Sequence, residues 1–295
     1  NRISLGIQDF RNDVLEAINR KPSKHPIEKI VSKIKSEGFT GTNIDLVYGL
    51  PLQTVSSFKN TVERAIELKT ERLVTFSYAH VPSVLPRQKI LEKIGFPSSD
   101  NKASMYENSY KELVNSGYIS IGMDHYSLPE DEFAVALKNK KLHRNFQGYC
   151  TRETTGQVYA FGASAISQLN TAYSQNIKNA AQYIKAIETN NLAIFRGYSV
   201  TNEQKVIRDV INNLMCNYYV DFNNIANNNK ISINELYEII DFSYENFDDF
   251  IEDGILEIEN EKVNVFENGR LFTRNIAMKF DPLVKKNIGT YSKTI

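Results

Sequence analysis

Residues 43–51 read Asn-Ile-Asp-Leu-Val-Tyr-Gly-Leu-Pro, a nearly continuous apolar run that contains one carboxylate, Asp45, and ends at Gly49 and Pro51. Such a run beside turn-forming residues is typical of a buried strand in a parallel sheet. A charge on a buried strand is costly unless it is paired or hydrogen-bonded. Because ligands bind at the C-terminal ends of parallel strands, the stretch predicts an α/β fold with Asp45 close to a functional site.

Polar residues also end the two neighbouring predicted strands. Residues 2–10 (RISLGIQDF) carry Gln8 near their end, and residues 72–80 (RLVTFSYAH) end in polar and aromatic residues. Between the strands, apolar residues recur at helical spacing, as in residues 27–34 and 58–66. The strand–helix unit repeats every 30 to 37 residues or so, roughly the spacing of βα units in a barrel, which would collect the polar residues at one end. Each polar residue alone is equally well explained as a hydrogen-bonded residue of the barrel rim.

Composition excludes several classes of protein. The 295 residues carry 35 basic and 35 acidic side chains, which argues against a protein that holds nucleic acid by a general basic field. Cys150 and Cys216 lack metal-ligand spacing and indicate reduced thiols in the cytoplasm, and the four histidines form no HExxH motif. No apolar stretch approaches the ~18 residues of a membrane span, and no signal peptide is visible.

The start of the chain is unusual. Asn1 leads directly into a buried type of strand, without an initiator Met. A barrel cannot begin on an interior strand without leaving a bare edge. We therefore expect the sequence to be the C-terminal part of a longer protein. The alternative is a complete chain that covers its open edge in another way.

Three later segments carry polar or small residues. Residues 118–126 are predicted to be one strand that leads into Asp124 and His125. Asp124 either orients or charges the His125 imidazole, or the two residues are only structural. Residues 141–149 (KLHRNFQGY) combine cations, an amide and aromatics, which suits an anionic or planar ligand as well as an ordinary surface turn. The small residues 162–167 would let a ligand approach the backbone closely.

The pattern changes near residue 190, which predicts domains at 1–190 and 191–295. Ser232 to Glu235 is a capping box at the start of a helix, and residues 255–258 and 262–266 form a predicted hairpin. Helix, hairpin and helix together resemble a winged-helix module. A nucleic-acid regulator is disfavoured, because the acidic residues between Glu235 and Asp253 would repel phosphates. A lid or packing domain is the preferred interpretation.

Several stretches together resemble the oxygen-independent coproporphyrinogen III oxidases (coproporphyrinogen dehydrogenases), a family of radical S-adenosylmethionine (SAM) enzymes. The resemblance runs from Asn1 to about Asp281, and its most specific part is IGMDHY followed by HRNFQGY. The matching stretches are NRISLGIQDF, NIDLVYGLP, FSYAHVP, IGMDHY, KLHRNFQGY, GASAIS, INNLMCNYYVDF and GRLFTRNIAMKFD.

The resemblance implies a fold and a reaction. The fold is α/β, the C-terminal part of an open partial (β/α) barrel of radical SAM type, with a small, mainly helical, winged-helix-like domain after it. In the family a [4Fe-4S] cluster on a CxxxCxxC motif cleaves SAM to a 5′-deoxyadenosyl radical. That radical abstracts hydrogen from two propionates of coproporphyrinogen III, which lose CO₂ and become the vinyl groups of protoporphyrinogen IX. A donor such as flavodoxin or ferredoxin, a monomeric state and haem biosynthesis in the cytoplasm are also implied.

By position, Gln8, Arg20 and Asp45 match the family residues that hold the first SAM. Asp45 would accept hydrogen bonds from ribose or amine groups, and Arg20 would pair with a carboxylate. The substrate propionates are anionic, so Arg144 and Arg152 are candidates for contacting them.

The resemblance also implies a second SAM. Phe76 and Ile166 match residues that would supply apolar contact to it, and Ala79 matches one that would supply backbone groups. Gln147 is the fourth matching residue.

One departure from the family concerns the cluster. The CxxxCxxC motif is absent, and neither Cys150 nor Cys216 replaces it. We therefore expect this chain by itself to be inactive and the parent protein to be the enzyme. The alternative function is that of a non-catalytic relative that binds or delivers haem.

Overall fold

The computed structural model describes residues 1–146, 148–151, 157–282 and 284. They belong to two compact units, residues 1–135 and the described part of residues 136–288. Both helices and strands are present, so the predicted α/β class is confirmed. No described helix is long and apolar enough to cross a membrane.

The first unit is built on a five-stranded sheet of order β1-β2-β3-β5-β4. Strands β1, β2 and β3 are parallel, and β5 is antiparallel to both β3 and β4. The elements are β1 (Arg2–Gln8), α1 (Asn12–Ala17), α2 (Ile27–Ser36), β2 (Gly41–Tyr48), α3 (Val55–Glu67), β3 (Arg72–Ser77), a 3₁₀ turn (Pro86–Gln88), α4 (Lys89–Glu92), α5 (Ser99–Asn115), β4 (Ile119–Gly122), β5 (His125–Ser127) and α6 (Glu132–Lys138), which crosses into the second unit.

Alternation along β2 separates a core face from a second face. Thr42, Ile44, Leu46 and Tyr48 are buried, whereas the residues between them are only half-buried. Successive side chains of a strand point to opposite faces, so the buried set packs on the helices. This core also contains Phe58, Val62 and Ala65 of α3 and Met105 and Leu113 of α5.

The prediction of one strand over residues 118–126 is wrong. β4 ends at Gly122, and the chain turns through Met123 and Asp124 before β5 returns antiparallel. Met123 has a φ of 52°, in the left-handed region that reverses the chain direction. The turn is held because the Asp124 carbonyl accepts a hydrogen bond from the Thr75 amide at 2.9 Å.

The described part of the second unit contains three small antiparallel sheets, β6-β7, β10-β9-β8 and β11-β13-β12. Its elements are β6 (His143–Asn145), β7 (Gly148–Cys150), β8 (Ile166–Gln168), β9 (Ala172–Asn176), α7 (Ala180–Glu188), β10 (Ile194–Ser199), α8 (Asn202–Asn217), β11 (Tyr219–Asp221), α9 (Phe222–Asn229), α10 (Ile233–Ile239), a 3₁₀ turn (Tyr244–Phe247), α11 (Asp248–Glu252), β12 (Leu256–Glu259), β13 (Lys262–Val265), a second 3₁₀ segment (Glu267–Phe272) and α12 (Thr273–Met278).

The predicted capping box and hairpin of this unit are confirmed. Ser232 Oγ accepts from the Glu235 amide at 3.2 Å, and the Glu235 carboxylate accepts from the Ser232 amide at 2.8 Å. β12 and β13 pair across the turn at Asn260 and Glu261, which both have positive φ. The core of the unit joins α8, α9 and α10 to this sheet.

The compact units divide at residue 135, earlier than the predicted domain boundary at 190. Asn217 of α8 explains part of the difference, because its side chain bonds both backbone groups of Leu142. The Tyr149 hydroxyl also donates to the Met215 carbonyl of α8 at 3.4 Å. Residues 142–146 and 148–150 therefore fold with the helices that follow them. The functional boundary at 190 stays a prediction.

Candidate functional site

The second face of the sheet brings three of the predicted residues around one glycine. Gly6 of β1 is paired in register with Asp45 of β2. A Cβ at Gly6 would lie 2.7 Å from Gln8 Nε2 and 3.6 Å from Arg20 Nη2. The Arg20 guanidinium also donates a hydrogen bond to the Gly6 carbonyl. Gln8, Arg20 and Asp45 thus lie around Gly6, and we call this set of four residues the Gly6 cradle.

The Asp45 carboxylate is oriented by two neighbours on the same face. Asn43 Nδ2 donates to Asp45 Oδ1 at 2.7 Å, and Ser4 Oγ donates to Asp45 Oδ2 at 3.2 Å. Asn43 Nδ2 also donates to Ser4 Oγ at 2.9 Å. An ionised carboxylate has about four acceptor positions, so these bonds fix the group and leave acceptor capacity for a ligand.

Gln8 has an unusual backbone conformation for a non-glycine residue. Its φ is 70°, and the register of β1 against β2 shifts between Gly6 and Gln8. Such a bulge re-aims a side chain at the end of a strand. The Asp9 amide closes the turn by donating to the Ile7 carbonyl at 2.9 Å. The strand end is therefore shaped to present the Gln8 amide beside Gly6.

Asp9 anchors this strand end in the core. Its carboxylate is 0% exposed and accepts from the Arg11 amide at 2.8 Å, from Thr61 Oγ1 at 3.0 Å and from Gln53 Nε2 at 2.6 Å. Gln53 also donates to the Val47 carbonyl at 2.9 Å and accepts from the Leu50 amide at 2.8 Å. We call Asp9, Gln53 and Thr61 the Asp9 network. It ties the end of β1 to the end of β2 and to α3.

Of the next two candidates, Phe76 lies in β3, beside β2, and Ala79 follows two residues after the end of β3. Phe76 is in register with Val47, two residues beyond Asp45 along β2, and is 38% exposed. Its ring meets the His125 imidazole edge-on, with ring centroids 5.9 Å apart. The Ala79 carbonyl accepts a hydrogen bond from Gln88 Nε2 at 3.0 Å. Phe76 therefore offers an apolar surface, and the Ala79 carbonyl already has one partner.

The remaining candidates belong to the second unit or fall outside the described residues. Arg144 lies in β6, with its guanidinium 5.6 Å from the centroid of the Tyr149 ring. Ile166 begins β8 and is half-buried. Gln147 and Arg152 lie outside the described residues.

The cluster expected from the resemblance does not fit the described residues. They contain no group of three or more His, Cys, Asp or Glu residues arranged to hold a metal. Cys216 is fully buried, and burial raises the pKa of its thiol to about 12. Burial likewise raises the pKa of Cys150. Since the thiolate is the form that binds metals, neither cysteine is a ready ligand.

Sequence reasoning missed Gly6, Ser4, Asn43 and the Asp9 network. A weak signal exists for the first three, because Ser4, Gly6 and Asn43 share the two-residue alternation that places Gln8 and Asp45 on one face. Pairing between β1 and β2 joins Ser4 to Asn43 and Gly6 to Asp45. The Asp9 network has no such signal, because its members are brought together only by the fold.

Comparisons with known proteins find close relatives of this chain. It is 36% identical over 286 residues to the oxygen-independent coproporphyrinogen III oxidase of Salmonella typhimurium, covering 97% of this chain and 62% of that protein. It is 34% identical over 297 residues to the protein of the same name from Thermostichus vulcanus, covering 100% of this chain and 90% of that protein. The chain thus spans about three fifths of the first relative and nine tenths of the second.

A solved structure agrees with these relatives. The coproporphyrinogen III oxidase of Escherichia coli, described as a radical SAM enzyme, superimposes with a TM-score of 0.89 and is 36% identical, covering 96% of this chain and 64% of that one. A scan against protein-family models finds no match.

Proposed function

The chain belongs to the family of oxygen-independent coproporphyrinogen III oxidases, and from this premise we propose the reaction of the complete protein. Its substrate is coproporphyrinogen III. At each of two propionates, one hydrogen atom and one electron are removed, CO₂ leaves, and a vinyl group remains, giving protoporphyrinogen IX. When bound, SAM and an iron–sulphur cluster supply the hydrogen-abstracting radical. The protein positions the reactants and excludes water.

The Gly6 cradle is the single observation that carries the assignment of the first SAM. A side chain at Gly6 would collide with the Gln8 amide, so glycine leaves the room in which the Gln8 and Arg20 side chains lie beside the strand. The Asp45 carboxylate, fixed by Asn43, would accept hydrogen bonds from ribose hydroxyls or the amine of SAM. Arg20 would pair with the SAM carboxylate, since guanidinium groups match carboxylates in geometry and charge.

For a second SAM, we assign Phe76, Ala79, Gln147 and Ile166. Phe76 supports this best, because its exposed ring lies on the same face as Asp45 and Val47. An aromatic face suits a planar adenine, which stacks on it. Ile166 would add apolar contact, and the roles of Ala79 and Gln147 rest on the resemblance alone.

The finer architecture is proposed as follows. The three parallel strands with intervening helices are interpreted as the C-terminal part of an open (β/α) barrel. Helices α8 to α10 with the β11-β13-β12 sheet are interpreted as a winged-helix-like lid or packing domain. Barrel function is assigned to residues 1–190 and lid function to residues 191–295.

The chain has two cysteines, and they do not form the family's cluster motif. We therefore expect this chain to bind SAM without generating a radical. The complete protein would carry the [4Fe-4S] cluster, take electrons from flavodoxin or ferredoxin, and act as a cytoplasmic monomer.

The assignment of the first SAM is tested by titrating SAM into the chain in a calorimeter. Asp45→Asn should weaken binding at least tenfold, because a carboxylate that accepts charge-assisted hydrogen bonds becomes a neutral amide (about 1.5–3 kcal/mol). Glu37→Gln is the matched control, since Glu37 directly follows α2 and its carboxylate accepts from the exposed Lys33 ammonium. Equal affinity in the Asp45→Asn variant would remove Asp45 from the site.

The reaction is tested with the complete protein after cluster reconstitution. Anaerobic incubation with SAM, a reductant and coproporphyrinogen III should release two CO₂ for each protoporphyrinogen IX formed. Haem-dependent absorbance without 5′-deoxyadenosine would instead support a haem-binding or haem-delivery protein.

A further inference from the structure

Three arginines from three separate elements meet at one cavity inside the second unit. The cavity has a volume of about 510 Å³ and is lined by Arg144 of β6, Arg208 of α8 and Arg274 of α12. Asp281 is the one carboxylate among the described lining residues. Three guanidinium groups against one carboxylate make the described lining cationic, which favours an anionic ligand.

The same cavity has an aromatic and apolar part. The Phe146 and Tyr173 rings meet edge-to-face with centroids 5.4 Å apart, and Met215 and Met278 also line the space. Such surfaces suit a large ring system, because apolar area is removed from water on contact. The cavity volume lies within the ~300–1,000 Å³ typical of small-molecule sites.

Hydrogen bonds within the second unit hold the Arg208 side chain and the chain segment that leads to Arg144. Arg208 Nη1 donates to the Tyr173 hydroxyl at 3.1 Å, and Nη2 donates to the Asn170 carbonyl at 3.4 Å. Arg144 lies two residues beyond Leu142, whose amide and carbonyl are both bonded by buried Asn217, at 3.0 and 3.1 Å. The Arg208 guanidinium and the backbone that carries Arg144 are therefore placed before a ligand arrives, which lowers the entropic cost of binding.

We propose that this cavity binds propionate carboxylates of the tetrapyrrole substrate, with Arg208 and Arg274 acting beside Arg144. The inference rests on the proposed function, which names a substrate with four propionates, of which two are converted to vinyl groups. The other two remain charged through both turnovers and need cationic partners away from the reacting carbons. Guanidinium groups around an aromatic surface fit such a ligand, because they bind carboxylates in a forked geometry while the rings contact the macrocycle.

The test measures binding of coproporphyrin III, the air-stable oxidised form of the substrate, to the chain by fluorescence titration. Arg208→Gln and Arg274→Gln should each raise the Kd about tenfold or more, since each removes a charge-assisted contact. Arg208→Lys keeps the charge and should recover part of the affinity. Arg196→Gln is the control, because Arg196 bonds Gln175 on β9 and does not line the cavity; its Kd should change less than twofold.

Two further titrations identify what holds the porphyrin. An esterified porphyrin shows whether the carboxylates are recognised or only the apolar macrocycle is bound. Added SAM shows whether the porphyrin occupies the SAM site. Coproporphyrin III tetramethyl ester, whose carboxylates are masked, should bind more weakly than the acid and equally to wild type and to Arg208→Gln. Equal Kd values for acid and ester, unchanged affinity in both glutamine variants, or displacement of the porphyrin by SAM would each overturn the proposal. Circular dichroism of each variant shows whether it has folded.

Activity assays of the reconstituted complete protein test the proposed propionate site and the proposed decarboxylation separately. A raised KM for coproporphyrinogen III in Arg208→Gln, with kcat little changed, supports the subsite. Decarboxylation with unchanged KM in both glutamine variants overturns the subsite alone. Arginine-dependent porphyrin binding without decarboxylation by the wild type overturns the proposed reaction and leaves the subsite standing.

Discussion

Removal of the Thr61 hydroxyl should destabilise the chain far more than removal of a similar hydroxyl at Thr42. Thr61 Oγ1 donates to the Asp9 carboxylate at 3.0 Å, and its residue is 3% exposed. Thr42 is 2% exposed, yet its Oγ1 has no hydrogen-bond partner among the described residues. Substitution by Val preserves shape at both positions, so the two variants differ mainly in the bond that is lost.

The expected loss of stability in Thr61→Val depends on the type of hydrogen bond that is removed. A hydrogen bond to a charged group contributes about 1.5–3 kcal/mol to stability, and Thr and Val have similar helix propensities, so α3 itself is little affected. Thr61→Val should therefore lower the free energy of unfolding by about 1.5–3 kcal/mol. Thr42→Val should leave it unchanged or raise it by up to about 1 kcal/mol, because a buried unsatisfied hydroxyl is replaced by a methyl group.

Urea unfolding of the two variants and the wild type provides the measurement, with the midpoint compared at constant slope. Equal destabilisation at both positions would show that loss of packing, not the bond to Asp9, decides the cost. Wild-type stability of Thr61→Val would refute the Asp9 network as an anchor of the strand end. A changed slope would point to an altered denatured or native state, and the comparison would then use hydrogen exchange of the β1 amides.

Three further predictions test other parts of the molecule. Gly6→Ala should weaken SAM binding at least tenfold yet cost under about 1 kcal/mol of stability, because its Cβ displaces only the flexible Gln8 amide; calorimetric titration and urea unfolding measure both. Burial raises the pKa of Tyr118 to about 12. The phenol therefore stays neutral in the folded state, whereas in the unfolded state it ionises above about pH 10. The free energy of unfolding consequently falls as the pH rises from about 10 to about 12. Tyr118→Phe should reduce the stability lost between pH 9 and 11 by about 1.4 kcal/mol, measured by urea unfolding. Asn217→Ala should cost about 1–3 kcal/mol, because two buried backbone groups of Leu142 lose their partner; thermal unfolding checks it.

Local patterns predicted the parallel part of the sheet but not its edge. The apolar run around Asp45 and the helical spacing of Phe58, Val62 and Ala65 depend on short-range periodicity, which sequence shows directly. The β4–β5 hairpin was missed because Met123, which is not a typical turn residue, adopts the left-handed conformation that reverses the chain. The contact of Asn217 with Leu142 spans 75 residues, so no local pattern reveals it.

Gln8 and Asp9 explain how one strand end serves both the core and the candidate site. Neighbouring residues of a strand face opposite sides. Gln8 can therefore face the candidate site while the next residue, Asp9, faces the core. The left-handed φ of Gln8 costs free energy and persists only when its surroundings enforce it. The three side-chain and backbone donors on Asp9 supply that constraint from the core side. The backbone that carries Gln8 to the Gly6 cradle is therefore held by hydrogen bonds to its neighbour Asp9 in the core.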